Sequence, residues 1–128
     1  MKLLLDTCSF LWFLADAPEL SAKARAAILD PANSVYLSAV SAWEIGRKYA
    51  KGDLELPSRP EFLIPQVRTD SGILSLPLSE EEAISAEKLP LLHKDPFDRM
   101  IIAQALVQGM IVVTPDRAFE PYPVRLLW

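Results

Sequence analysis

Three features of the chain predict an α/β fold in which a central parallel sheet is covered by helices on both faces. The first is a set of short, uninterrupted apolar runs, Leu3-Leu4-Leu5, Val35-Tyr36-Leu37 and Met110-Ile111-Val112-Val113, of the kind strands carry when both faces are buried. The second is that helical stretches separate these runs, the alternation that puts crossover helices over a parallel sheet. The third is bulk, since 128 residues of which 51% are hydrophobic suffice for such a core within one domain. The expected sheet has about four to five short strands. No repeat, low-complexity tract or linker divides residues 1–128.

Taken in order, the first strand runs over residues 3–5 and ends on Asp6. A buried helix over residues 9–15 stops before Pro18, and Ser21 caps a second over residues 22–29, which Asp30-Pro31 closes. After the Val35 strand, Ser41 opens a helix that runs through Lys51 to Gly52. Residues 54–60 form a proline-broken connection, and residues 61–69 a weaker helix because Pro65 falls inside it. Ile73-Leu74 gives a short strand, and Ser79 with Glu82 marks the capping box of a helix ending near Lys88. Pro90 leads into His93-Lys94-Asp95-Pro96-Phe97-Asp98-Arg99, with Asp95 as N-cap and Pro96 in the first helical position. Phe97, Met100, Ile101, Ile102, Ala103, Ala105, Leu106 and Val107 leave this helix almost no polar side, which predicts burial nearly all round up to Gly109. The strand at Ile111 follows, and residues 124–127 supply the last one.

Composition narrows the function. A net charge of −4 and a pI near 5.0 exclude a protein that holds nucleic acid by bulk positive charge, so any such contact must be local. Cys8 is the only cysteine, which excludes an internal disulfide framework and a cysteine metal cluster and fits a reducing compartment. Asp6 interrupts the N-terminal apolar run before a signal-peptide core forms, and no uncharged run reaches the roughly 18 apolar residues of a membrane span. The expectation is a cytoplasmic protein.

Ligands of open α/β sheets bind outside the carboxyl ends of the strands, and this rule sorts the acids. Asp6 follows the first strand, Glu44 lies in the helix entered after the Val35 strand, Asp98 opens the helix after Pro96, and Asp116 follows the Val113 strand. All would face one edge of the sheet. Carboxylates brought together repel one another and rise in pKa unless a cation balances them. Hard oxygen donors favour Mg²⁺ or Mn²⁺, and Mg²⁺ accepts phosphate oxygens alongside. Such a site suits phosphodiester hydrolysis.

Simpler roles compete at several positions. Capping accounts for Asp95 before Pro96 and for Asp98 in a first turn, and Ser41-x-x-Glu44 is itself a capping box. Asp116 fits an ordinary turn. Asp6 is harder to explain away, because a carboxylate between Leu5 and an apolar helix carries a desolvation cost without a partner. His93, the only histidine, reads as structural, Cys8 as a small buried side chain near Asp6, and Trp12 and Trp43 as core. Thr7, Ser9 and Thr114 are candidates to orient an acid or hold a metal-bound water. Among the bases beside the acids, Arg47, Lys48, Lys94, Arg99 and Arg117, the best placed to meet an RNA backbone are Lys94 and Arg99.

Leu3-Leu4-Leu5-Asp6-Thr7, Ser41-Ala42-Trp43-Glu44-Ile45, the stretch from His93 through Ala105, and Val113-Thr114-Pro115-Asp116-Arg117-Ala118-Phe119 resemble, in order and spacing, the PIN domain of VapC-type toxins. The resemblance spans essentially the whole chain. It implies a metal-dependent endoribonuclease, the toxin half of a toxin–antitoxin pair, forming a homodimer and silenced by a small antitoxin. By position, Asp6, Glu44, Asp98 and Asp116 match the family's acidic quartet, with Asp95 an extra acid of the subgroup that carries Asp-Pro-Phe-Asp-Arg. Cys8 departs from the histidine that relatives often carry after Asp-Thr, and Ser9 from a small apolar residue, which bears on substrate preference. Two alternatives compete. One is a PIN-like module that binds without catalysis. The other, a Mg²⁺-dependent phosphoacceptor domain, lacks both the Asp at a middle strand's end and the Lys after a late strand that its chemistry requires.

Overall fold

The computed structural model describes residues 1–128. Strands β1 (Lys2–Leu5), β2 (Ser34–Ser38), β3 (Leu74–Leu76), β4 (Ile111–Val113) and β5 (Arg125–Leu127) form one sheet in the order β3-β2-β1-β4-β5, all neighbours parallel. The central strand β1 pairs Leu5 with Leu37 on one side and with Val113 on the other. Leu3, Leu4 and Leu5 are each 0% exposed, which is why this strand shows no polar alternation.

Alternate residues of the central strands enter two separate cores. Leu3, Leu5 and Val113 pack with α1 (Thr7–Leu14), α2 (Ala22–Leu29) and α4 (Pro60–Ser71), through Phe10, Ile28 and Ile64. Leu4 and Val112 pack on the opposite face with Ile101, Ile102 and Ala105 of α6 (Pro96–Gln108), joined by Phe119 and Tyr122. Helix α3 (Ala39–Ala50) serves both layers, with Ile45 in the first and Val40 in the second. Helix α5 (Glu80–Lys88) carries the expected capping box, Ser79 and Glu82 each accepting the other's backbone N–H. No helix is long and apolar enough to cross a membrane.

Several expectations are corrected. Helix α1 starts at Thr7 because Asp6 is its N-cap. Helix α3 starts at Ala39, with Ser38 capping Val40, so Ser41 lies buried inside the helix and forms no capping box with Glu44. The strand continues to Ser38, paired with Leu76, and passes into the helix without a loop. Pro65 sits within α4 without ending it, and both Pro65 and Glu61, whose carbonyl it leaves without a donor, lie on the exposed side. Helix α6 is not apolar all round: Leu106 and Val107 are 38% and 39% exposed, whereas Arg99 and Gln104 are buried. Gln104 is accommodated because Ser38 donates to its Oε1 and its amide donates to Pro77 O.

Candidate active site

A cleft of about 350 Å³ opens beyond the carboxyl ends of β1 and β4, the neighbours at which the strand order reverses direction. Asp6, Glu44, Asp95, Asp98 and Asp116 line it, with Thr7 and Lys48 between them and Cys8, Trp12 and Pro115 on the wall.

The inner side is made by Asp6 and Glu44. As N-cap of α1, Asp6 accepts from Ser9 N through Oδ1 at 2.8 Å, and its Oδ2 accepts from Thr114 Oγ1 at 2.6 Å. Burial raises its carboxyl above the ordinary value; the Ser9 and Thr114 hydrogen bonds oppose this and the charge of Asp116 adds to it. Glu44 accepts from Thr7 Oγ1 through Oε1 at 2.7 Å and pairs with Lys48 Nζ through Oε2 at 2.9 Å. The hydrogen bond to Glu44 holds the Lys48 ammonium above its usual value. Ser9 Oγ donates to Val113 O at 2.8 Å, fastening α1 to the end of β4.

The outer side is more open. Asp98, in the first turn of α6, meets His93 Nε2 through Oδ2 at 2.8 Å. Burial pushes its carboxyl up to about 6, opposed by the His93 hydrogen bond and reinforced by the charges of Asp95 and Asp6. Asp116 caps the 3₁₀ turn Arg117–Phe119 through Ala118 N and is exposed. One ligating atom each from His93, Asp98 and Asp116 lie within 4.8 Å of one another. Asp95 caps α6 through Phe97 N at 2.9 Å and Asp98 N at 3.4 Å, as expected, while also facing the cleft.

The structure thus brings Asp6, Glu44, Asp95, Asp98, Asp116 and Thr7 to one cleft, with Ser9 and Thr114 fastening it from behind. Arg99 does not face it. At 6% exposed, its guanidinium donates to the carbonyls of Ala86, Leu89, Pro90 and His93, which makes it a fastening of the loop before α6 rather than a contact for RNA. Lys94 is exposed and outside the lining. Cys8 is exposed at the cleft rather than buried, its thiol pushed up to about 11 by local desolvation and then by the charge of Asp6. Trp43 is 53% exposed rather than core, its ring set edge-on to Phe97 at 5.0 Å. The sequence reading missed three features: the His93 contact to Asp98, the Lys48 pair with Glu44, and Trp12 on the wall. Two had a signal, since Lys48 lies one helical turn from Glu44 and Trp12 one turn from Cys8.

The donor set fits a divalent cation. Hard oxygen ligands face one cleft, the carboxyls of Asp6 and Asp98 are held above their ordinary values, and the His93 imidazole is within reach. An α/β protein with carboxylates gathered at the ends of its central strands belongs to the class that works on ligands at a sheet's carboxyl edge. The chain belongs to the PIN domain family, whose model matches residues 3–124. No curated protein matches it significantly in sequence. Among solved structures it is similar to VapBC2 from Rickettsia felis bound to a promoter DNA fragment, with 15% identity, a TM-score of 0.73, and 99% of this chain and 98% of that one covered. The DNA-bound VapBC from Salmonella typhimurium is similar at 20% identity and a TM-score of 0.69, over 99% and 97% of the two chains. A toxin–antitoxin complex from Klebsiella pneumoniae is similar at 14% identity and a TM-score of 0.60, over 98% and 95%.

Proposed function

We propose that the chain is a metal-dependent endoribonuclease, the toxin component of a toxin–antitoxin pair, which hydrolyses RNA phosphodiester bonds in the cytoplasm. The observation that carries this reading is the convergence of Asp6, Glu44, Asp98 and Asp116 on the cleft beyond β1 and β4. These residues would hold Mg²⁺ or Mn²⁺, which when bound supplies Lewis acidity that polarises the phosphoryl oxygen and eases proton loss from the attacking water. The protein's own part is positioning. Thr114 and Ser9 fix both oxygens of Asp6, and Thr7 fixes one oxygen of Glu44 while Lys48 balances its charge. In-line addition of water would leave a 5′-phosphate and a 3′-hydroxyl. Exposed Arg47, Lys48 and Lys94 offer local positive charge to an RNA backbone despite the acidic balance of the chain.

The VapBC and toxin–antitoxin neighbours support a protein partner, and the exposed Trp43, Leu91 and Leu92 supply apolar surface for an antitoxin or a second copy. The test is cleavage of total RNA by partner-free protein with Mg²⁺, Mn²⁺ or EDTA, beside Asp98→Asn. Discrete fragments that require metal and vanish in the variant are expected. Folded, partner-free protein that cuts nothing with either metal would replace the nuclease with a module that only binds.

A further inference from the structure

We propose that His93, Asp98 and Asp116 form a mixed nitrogen and oxygen position, on the outer side of the cleft, that takes a first-row transition ion in preference to Mg²⁺. The inference rests on the reading of the cleft as a metal site and specifies which ion its outer side takes.

Compactness is the first argument. Among the His, Cys, Asp and Glu side chains, this trio is the group that offers one ligating atom apiece within 4.8 Å. The acids of the inner side are engaged differently, each oxygen of Asp6 and Glu44 already holding a partner from Ser9, Thr114, Thr7 or Lys48.

Presentation is the second. His93 stands on a loop, yet that loop is bolted in place. Its backbone N–H donates to Tyr122 Oη at 2.9 Å, its carbonyl accepts from Arg99 at 3.3 Å, and its ring lies 6.2 Å from that of Phe119. Tyr122 Oη in turn donates to Pro90 O at 2.8 Å. The buried Arg99 has no carboxylate partner and places its donors on the carbonyls of Ala86 at the end of α5 and of Leu89 and Pro90 in the loop, so the imidazole is aimed at Asp98 by a fixed frame. The ring nitrogen that faces Asp98 Oδ2 at 2.8 Å is the one available to a cation shared by both.

Donor chemistry supplies the choice of ion. Mg²⁺ takes oxygen ligands and sheds water reluctantly, whereas imidazole suits transition ions. A nitrogen donor beside two carboxylates therefore favours a first-row transition ion over Mg²⁺, and Mn²⁺ serves as the paramagnetic probe of that class.

The test uses the full chain without a polyhistidine tag, titrated with Mn²⁺ and examined by pulsed electron paramagnetic resonance. Because His93 is the only histidine, an imidazole nitrogen coupling has one source. Wild-type protein is expected to show that coupling. His93→Gln, which keeps an amide able to donate to Asp98, is expected to lose it and to bind Mn²⁺ about tenfold more weakly, with Mg²⁺ binding unchanged. Bound Mn²⁺ without imidazole coupling, or equal weakening of both ions in the variant, would overturn the assignment while leaving the metal-dependent nuclease intact. Folded wild-type protein that binds no Mn²⁺ overturns both. Should His93→Gln fail to fold, the wild-type spectrum alone decides.

Discussion

Asp6 and Asp98 both lie at helix starts and both face the cleft, yet their surroundings differ. Asp6 is 4% exposed and has a protein donor on each oxygen, supplied by the ends of β4 and α1. Asp98 is more open and meets a single side chain, His93, from a loop. Among the inner acids, Asp6 is fixed at the end of the central strand, and Glu44 is fixed by Thr7 and Lys48 on the helices beside it. Of the outer acids, Asp98 meets a loop held by Arg99 and Tyr122, while Asp116 is held by its own 3₁₀ turn and by Thr114. Rigidity in the two sides thus has separate origins, and perturbations should separate them.

The largest expected effect falls on both sides at once. Asp6→Asn and Asp98→Asn should each reduce metal-dependent RNA cleavage by more than the ~10–100-fold that follows loss of a ligand's hydrogen-bond partner, with folding intact by circular dichroism. Retained cleavage in either would remove that residue from the site. Thr114→Val comes next, because its hydroxyl donates to Asp6 and accepts from Asp116 N at 3.0 Å, linking the two sides. Calorimetric titration should show metal affinity falling ~10–100-fold. An unchanged affinity would mean the two sides are fixed independently.

Arg99→Met addresses the outer side alone. It strands the carbonyls of Ala86 and Leu89, to which no other side chain donates, and urea unfolding should show a loss of about 3 kcal/mol. Tyr122→Phe removes one hydroxyl from the same frame and should cost about 1 kcal/mol. If Arg99→Met leaves stability untouched, the loop is held by something else.

The smallest effect is on pH. Burial holds the folded carboxyl of Asp98 at about 6, above the ordinary value of 3.8, so the folded metal-free protein binds more protons than the unfolded chain between these values. Its contribution is fully present below the lower value and lost as pH rises through the upper one. In EDTA, Tm should therefore decline modestly between about pH 4 and pH 6, and Asp98→Asn should flatten the decline.

The strand-end rule made the acids legible, because Asp6 directly follows one apolar run and Asp116 follows another across Thr114-Pro115. The start of α3 was not, since Ser38 and Ser41 both satisfy a cap pattern and only the pairing of Ser38 with Leu76 decides between them. Trp43 was readable in principle: the buried positions Val40, Ser41, Glu44 and Ile45 share one helical face, and Trp43 lies off it. Arg99 was not readable, because its partners are carbonyls of residues 86–93, which no side-chain pattern encodes. His93 lies five residues before Asp98 across a non-helical turn, outside any periodic spacing.

The central place of β1 also sets an order of assembly. Asp6 and the Thr114 that fixes it are separated by 108 positions, and β4 is the strand that brings them together. Translation delivers β1 early, at roughly 5–20 residues per second, but its second neighbour only after residue 113 has left the ribosome. Closing so long a loop comes late among the contacts of the fold. A nascent chain that stalls before β4 carries Asp6 without the Thr114 that fixes it, so the cleft is completed only once synthesis has passed that residue.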